Sequence, residues 1–410
     1  MRRRICALQF TKFRAFWGVL VLVSQAAGAD NRSHDTFMPY VGGSLKFDSN
    51  LLRLPNNVTP QEAVGKNSKS DFVKQVRAGV DVDWKISRQR LLLKADLNQN
   101  WFDTFKELNY QGYDLLGQWN WELGRNFQGS LGYINKRSLG SFSQINRLVN
   151  NLQTEKKYFI DGAYQILSNW YLQVGVSRDD LEFSDETRQL GNRREDSLDI
   201  GLEYLNQAEN MAGLRLVVVD GSYPQRDFSA NSQIDNAYIR SSYHFEGVWH
   251  YSVKTRIDGR IGYTQQEHDH LKVRDFSAMT LRANIYWEPT VKTHLMFTGW
   301  REIAQSDNLT SSFVLSQGLR LIPSWSITPK VNLNMFMSYE QQDFLGDPGF
   351  LDSDGVTQKD QIMNIGLNIR YKPIENTEIS AVFKHEDRDS NNPLRSYQSQ
   401  FGGLNFRLWF

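Results

Sequence analysis

The densest group of side chains able to bind a metal is the tetrapeptide Glu267-His268-Asp269-His270. Imidazole and carboxylate groups are common ligands of zinc and other transition metals. Ligands that are adjacent on one flexible loop seldom close around a metal, so the pattern favours a solvated external loop. Asp352-Ser353-Asp354-Gly355 resembles part of a calcium loop but lacks the later ligands and the closing glutamate. The sequence leaves calcium at Asp352–Asp354 open and otherwise predicts no metal and no cofactor.

Catalytic motifs are missing from the sequence. It contains no nucleophile elbow, His-Glu-x-x-His motif, P-loop or dinucleotide fingerprint. His244, His294 and His385 have no evident catalytic partners. The 47 basic and 46 acidic residues balance, so no strongly basic face indicates nucleic-acid binding. We therefore expect neither an enzyme nor a nucleic-acid-binding protein.

The elements that position these residues repeat with a period of two. Stretches of about ten residues alternate apolar and polar side chains, as a half-buried strand does. One example sets Met363, Ile365, Leu367, Ile369 and Tyr371 against Asn364, Gly366, Asn368 and Arg370. A soluble sandwich also alternates, but it does not need glycine and charged residues on the second face of nearly every strand.

Eighteen such stretches can be marked, with connections that alternate between short and long. They begin near Phe37, Asp71, Leu91, Tyr110, Gln128, Lys156, Trp170, Leu198, Gly213, Asn236, Lys254, Ala278, Thr293, Phe313, Val331, Ile362, Ile379 and Tyr397. This pattern predicts an all-β fold: a transmembrane antiparallel outer-membrane β-barrel with short periplasmic turns and long extracellular loops. The count is about 18 strands, with 16 left open. The last strand should pair with the first, because an open sheet edge cannot face lipid.

Aromatic residues recur on the apolar face just before the short turns. They are Trp84, Trp121, Tyr164, Tyr204, Trp249, Trp287, Trp325 and Tyr371. Such a recurrence predicts an aromatic girdle at a membrane–water interface and contact with outer-membrane lipids. The chain also ends on an alternating strand that closes with Phe410. This end resembles the C-terminal signature that the barrel assembly machinery recognises in Gram-negative outer-membrane barrels, which makes Phe410 the predicted assembly signal.

The N-terminus predicts a secretory signal peptide over residues 1–29, followed by the barrel over residues 30–410. Arg2, Arg3, Arg4, Lys12 and Arg14 precede and flank a short apolar core, and small residues lead to cleavage between Ala29 and Asp30. The apolar core is far shorter than the ~20 residues that span a bilayer. The predicted mature chain lacks cysteine and lies in the outer membrane of a Gram-negative cell.

Alternation assigns the polar face of each strand to the barrel lumen. Acidic side chains are expected inward in the first half, at Asp81, Asp83, Asp96, Asp114, Glu122, Asp199 and Glu203. Basic and aromatic side chains are expected inward in the second half, at Arg256, Arg260, Arg282, Arg320, Arg370, Arg407, Tyr286 and Phe336. Opposite charges can brace one another across a lumen. Alternatively, arginines and aromatic rings can line a route for an acidic glycan.

The opening segment from Pro39 to Pro55 (PYVGGSLKFDSNLLRLP) and the hairpins at Trp249–Thr255 and Tyr286–Thr293 carry a family resemblance. They resemble the EpsL-type outer-membrane beta-barrel proteins of proteobacterial exopolysaccharide operons. This resemblance implies a part in exopolysaccharide export or biosynthesis, with exopolysaccharide and periplasmic export proteins as partners. Two alternatives stay open: a general diffusion porin, or a non-transporting structural or adhesive barrel whose lumen is filled by residues 48–70 or by another loop.

Overall fold

The computed structural model describes residues 36–143, 147–230, 234–304, 313–346 and 357–410. These residues form eighteen β-strands. The strands are β1 Phe37–Asp48, β2 Asp71–Ile86, β3 Gln89–Phe102, β4 Tyr110–Leu123, β5 Phe127–Leu139, β6 Leu152–Leu167, β7 Trp170–Phe183, β8 Arg193–Leu205, β9 Met211–Ser222, β10 Ala237–Ser252, β11 Thr255–His268, β12 Phe276–Thr290, β13 Thr293–Ala304, β14 Phe313–Thr328, β15 Val331–Leu345, β16 Lys359–Tyr371, β17 Thr377–Ser390 and β18 Tyr397–Trp409.

The described helices are short and lie in the connections. The α-helix α1 spans Pro60–Val64, and three 3₁₀ turns span Lys106–Leu108, Glu186–Gly191 and Lys272–Arg274. Within the described ranges, none of these helices has the length and apolarity needed to cross a membrane.

The sheet closes on itself. Each strand pairs antiparallel with its sequence neighbours, and β1 also pairs with β18, from Tyr40 opposite Trp409 to Asp48 opposite Phe401. Closure leaves no strand edge with unpaired backbone groups, which is what a bilayer demands of a spanning sheet. The predicted antiparallel 18-strand barrel, and the predicted pairing of its last strand with its first, are confirmed; the 16-strand alternative is wrong.

The alternating side chains divide between the outside and the lumen. On β12, Met279 and Leu281 are 60% and 45% exposed, whereas Thr280 and Asn284 are 7% and 9% exposed. An outer wall of exposed apolar side chains is unfavourable in water, so it is the surface that lipid covers. The polar set points inward and forms the hydrogen-bonded lumen wall.

Connections differ between the two ends. The eight turns at one end of the barrel have two to five residues each. The nine connections at the other end are longer, and the first of them runs from residue 49 to residue 70. Eight strands start at the predicted residue, and the largest difference is at β8, which begins at Arg193 rather than Leu198. Residues 193–197 are polar on both faces, so hydrophobic alternation cannot reveal this part of the strand.

The main apolar core of the described chain lies at the long-loop end. Leu52 and Leu54 of the first loop are fully buried, and they pack with Phe105 and Leu108 against inward-facing side chains of β2 and β3. Asp71 fixes the neighbouring loop, because its carboxylate accepts the N–H groups of residues 103–105 at 2.8–3.0 Å. The first loop is therefore a packed part of the barrel mouth.

Candidate functional site

The eight predicted lumen residues all lie on inward faces. They are distributed over β11 (Arg256, Arg260), β12 (Arg282, Tyr286), β14 (Arg320), β15 (Phe336), β16 (Arg370) and β18 (Arg407). Each alternates with lipid-facing apolar residues, as the buried polar neighbours of the same strands show. The structure brings together only part of this set.

Several of these arginines have carboxylate partners that brace the wall. Arg256 Nη2 lies 3.1 Å from Asp258 Oδ1, and Arg370 Nε lies 3.5 Å from Glu378 Oε2. In the first half, Asp83 similarly pairs with Arg90 at 2.7 Å. Each half of the barrel thus contains counter-ions, and the division into an acidic and a basic half is less sharp than alternation alone indicated.

Two arginines bind one glutamate on β11–β13, and a third arginine lies beside them on β14. Arg260 Nη2 lies 2.9 Å from Glu302 Oε1, and Arg282 Nη2 lies 2.6 Å from Glu302 Oε2. Beside them, the Arg320 guanidinium lies 5.3 Å from the centre of the Trp300 ring. We call Arg260, Arg282, Arg320, Glu302 and Trp300 the arginine arc. Beyond these five residues, Glu340 of β15 accepts a 2.8 Å hydrogen bond from Ser316 Oγ, so three guanidinium groups face two carboxylates on this part of the wall.

Arg320 differs from the other arginines of the arc in its contacts. Within the described residues it makes no ion pair, and its cation–π contact with Trp300 is held in place because Trp300 Nε1 donates to Ser316 Oγ at 2.9 Å. Arg407 on β18 is similar, since it lies 4.7 Å from the Tyr40 ring and 5.4 Å from the Trp409 ring without a carboxylate partner in the described chain. Both guanidinium groups therefore have N–H donors that can bind an anion in the lumen.

An acidic arc lies next to the arginine arc, on β8–β10. Arg215 contacts Asp199 and Glu203 at 2.9 Å and Glu246 at 2.8 Å. One guanidinium therefore serves three carboxylates. The lumen wall carries opposite excess charge on two neighbouring arcs, an arrangement that orients a charged solute.

Sequence reasoning missed several of these residues. Glu302 and Trp300 could have been found, because Thr298, Trp300 and Glu302 alternate with outward residues on β13. The predicted aromatic contact at Phe336 needs correction. Its ring is only 6% exposed and covers Gly366, where a Cβ atom would overlap it, so it offers little surface to a solute.

Two loops fold into the mouth of the barrel. Arg53 of the first loop lies 2.9 Å from Asp48 Oδ2 and 3.4 Å from Glu386 Oε1, which ties that loop to β17. From the connection 140–151, the Ser143 carbonyl accepts a 2.8 Å hydrogen bond from Arg388 Nη1, also on β17. Residues of both loops and the wall line an open pocket of about 240 Å³. The two loops narrow the lumen at this end.

The family comparison agrees with this architecture. The family model described as "Putative beta-barrel porin 2" matches residues 36–410. The chain belongs to this porin family. No curated protein matches it. Among solved structures, Pseudomonas aeruginosa OccK2 (OpdF) is similar at 8% identity and a TM-score of 0.50, over 91% of this chain and 98% of that one. The outer membrane protein OpdK of the same organism has 9% identity and a TM-score of 0.49, over 92% and 99% of the two chains.

This assignment places the porin in the outer membrane, as predicted, and the long loops at the extracellular side. An EpsL-type relationship and a role in exopolysaccharide export stay predictions, because the matching family model describes a porin and says nothing of exopolysaccharide. The signal peptide over residues 1–29 and the cleavage between Ala29 and Asp30 lie outside the described residues, as does the calcium pattern at Asp352–Asp354.

The predicted girdle residues of the porin stand on its lipid-facing wall near the short turns. Trp84, Tyr164, Trp249, Trp287, Trp325 and Tyr371 are 43–53% exposed, and Trp121 and Tyr204 are partly exposed. Phe410 follows β18, and its N–H group donates to the Pro39 carbonyl at 2.9 Å. The interfacial role of the girdle and the assembly role of Phe410 stay predictions.

The sequence predicted that the tetrapeptide 267–270 lies in an external loop, but only its second half does. Glu267 and His268 end β11 and point to opposite faces, while His270 Nδ1 lies 3.1 Å from Asp235 Oδ1 of another loop. Among the described residues, no three metal-ligating side chains come together. His294 also has a neighbour that the sequence did not reveal, since its Nδ1 lies 3.3 Å from Glu288 Oε1.

Proposed function

We propose that this porin is a diffusion channel that favours small anionic solutes. The observation that carries the proposal is the pair Arg320 and Arg407, two lumen guanidinium groups that rest on aromatic rings without an ion-pair partner in the described chain. Charged groups that line a pore set its ionic preference. A guanidinium also binds a carboxylate through two parallel hydrogen bonds, so carboxylated solutes suit this wall.

The mouth supports a small solute rather than a polymer. Loops 49–70 and 140–151 both reach β17, through Arg53–Glu386 and Arg388–Ser143. A polysaccharide chain would need this end of the lumen clear of both loops. Exopolysaccharide export therefore ranks below diffusion of small molecules, and no contact in the described chain favours it specifically.

The proposal is tested by the swelling of proteoliposomes in isotonic solute. Galactose and galacturonate form a matched pair, since they have similar size and differ in one carboxylate. We expect galacturonate to enter faster than galactose. Faster entry of galactose would contradict the anionic preference, and absence of swelling with both sugars would contradict a diffusion channel altogether.

A further inference from the structure

The open pocket between the two mouth loops and the barrel wall has a largely apolar lining. Strands β2, β3, β4 and β18 and the connection 140–151 supply it, through Val73, Phe102, Tyr110, Phe401 and Phe142. These apolar groups border an opening that water can enter, and a bound apolar group would displace that water with a gain in free energy. We call this space the mouth pocket.

The size of the mouth pocket suits a single ring. Its volume is about 240 Å³. A cavity of ~150 Å³ is enough to bind benzene, so the mouth pocket has room for one aromatic ring with a short substituent. The rings of Phe102 and Tyr110, whose centres lie 6.5 Å apart, are aromatic partners for such a ring.

Lys46 lines the mouth pocket and has no carboxylate partner in the described chain. It points inward from β1, and its cross-strand neighbours, Val73 and Gly403, carry no charge. Gly403 leaves space for the lysine stem, because a Cβ atom there would lie 3.5 Å from Lys46 Cγ. Among the described residues, the ammonium group makes one hydrogen bond, at 3.4 Å to Gln75 Oε1. It therefore has N–H donors left for a ligand.

The carboxylates closest to the mouth pocket are bound by other cations. Asp48 lines the pocket, but its Oδ2 atom lies 2.9 Å from Arg53 Nη1. Glu386 contacts Arg53 at 3.4 Å and also pairs with Lys384. Three cations thus face two carboxylates, and the cation in excess is Lys46. The pocket therefore combines an apolar lining with one positive charge that an anion can neutralise.

We infer that the mouth pocket binds a monocarboxylate that carries one aromatic ring. The ring would lie among the apolar side chains, and the carboxylate would accept a charge-assisted hydrogen bond from Lys46 Nζ. The inference rests on the proposed function, because it names the class of anion that the porin captures at its mouth. The lumen arginines select by charge, whereas the mouth pocket also requires an apolar group.

The test measures binding to the refolded porin in detergent by isothermal titration calorimetry, with empty micelles as the blank. The probe is phenylacetate. Two comparison solutes each lack one of its features, since 2-phenylethanol has the ring without the charge and acetate has the charge without the ring. We expect phenylacetate to bind about tenfold more tightly than either, because each comparison solute forfeits one of the two contacts.

Lys46→Gln removes the ammonium group and leaves no carboxylate unpaired, so the barrel should fold. We expect it to weaken phenylacetate binding about tenfold and to leave 2-phenylethanol binding unchanged, while Lys46→Arg keeps the charge and the preference. The matched control is Lys74→Gln. Lys74 lies opposite Leu45 on the outer face of β2, where it pairs with Asp103 at 2.7 Å, and its loss should leave phenylacetate binding as in the wild type.

Three outcomes would overturn the inference: phenylacetate that binds no better than a comparison solute, phenylacetate binding that Lys46→Gln leaves unchanged, or an equal loss in Lys74→Gln. If Lys46→Gln fails to fold, Lys46→Met takes its place, because it keeps an unbranched stem beside Gly403. Failure of the two proposals can be told apart. An anion-preferring porin that does not bind phenylacetate would contradict the inference alone, whereas phenylacetate binding without solute entry into proteoliposomes would contradict the proposed function alone.

Discussion

Replacing Arg320 by glutamine should shift the ion preference of the pore towards cations. Arg320 lies in the arginine arc, contacts the Trp300 ring at 5.3 Å and makes no ion pair in the described chain. Its charge is therefore not cancelled by a bonded carboxylate. The substitution removes this charge but keeps a polar side chain of moderate size. Only the cation–π contact is lost, at about 0.5–1 kcal/mol, so the barrel should still fold.

The size of the shift follows from Coulomb's law. A monovalent ion that passes ~6 Å from the guanidinium in water interacts with it by roughly 0.7 kcal/mol, or about 0.4 kcal/mol after screening at ~0.1 M salt. Loss of that interaction lowers anion partition about twofold and raises cation partition about twofold, since 1.4 kcal/mol corresponds to a factor of ten. The chloride-to-potassium permeability ratio should therefore fall about fourfold.

The assay is the reversal potential of the reconstituted porin under a KCl gradient across a planar bilayer. The matched control is Arg301→Gln. Arg301 lies on the neighbouring strand β13, but it points to the lipid side, where its Nη1 donates to Gln317 at 2.8 Å. We expect the control to leave the reversal potential unchanged. An unchanged potential in Arg320→Gln, or an equal shift in both variants, would refute the assignment of Arg320 to the ion path.

Three further predictions concern the mouth, one extracellular loop and the lipid-facing wall. Asp360→Asn should lower the free energy of unfolding by about 3–5 kcal/mol, measured by urea titration in vesicles, because the change leaves the buried Arg388 without its ion-pair partner. Burial opposes ionisation of Asp235, but the N–H groups of residues 271 and 270 outweigh it and hold its pKa below the usual value. The stability from these contacts is therefore fully present above the usual Asp pKa of about 3.9, and it is lost as the pH falls through the lower pKa that Asp235 has in the folded protein. Hydrogen exchange of the amides of residues 270 and 271 measures this loss. On β12, Leu281→Arg should cost roughly 2–4 kcal/mol and Trp287→Arg about 0–1 kcal/mol in the same urea titration, because Leu281 lies within the apolar band and Trp287 at its edge.

Each of these predictions has a contradicting result. An unfolding free energy that Asp360→Asn leaves unchanged would mean that Arg388 is not held by that carboxylate. For Asp235, the connection 184–192 is the reference, and equal acid-induced exchange in both loops would contradict the pKa argument. Equal costs at Leu281 and Trp287 would argue against a girdle at the position of Trp287.

Strand positions and faces could be predicted because each face meets a different environment. Lipid requires an apolar residue at every second position of a strand. The resulting alternation is uninterrupted from Met363 to Tyr371 on β16 and along the membrane-spanning part of β12. The signal fades where strands extend beyond the bilayer, which is why β8 starts five residues before Leu198.

The arrangement of the lumen could be predicted only in part. Alternation places Arg260 and Arg282 inward, but it contains no information on the register between strands, which brings both side chains to Glu302. Folding of the first loop into the mouth depends on the packing of Leu52 and Leu54 with Phe102 at the end of β3, with Phe105 and Leu108 of the next long connection, and with Phe142. Such long-range contacts leave no period in the sequence.

The most direct test of an open, selective pore is the single-channel current of the refolded porin in a planar bilayer. We expect discrete conductance steps, a current proportional to voltage, and a reversal potential that shows a preference for anions. Folding is checked beforehand by the shift in electrophoretic migration on heating. A folded, inserted barrel that conducts no current would contradict the proposed function, and a cation-selective current would contradict the role assigned to Arg320 and Arg407.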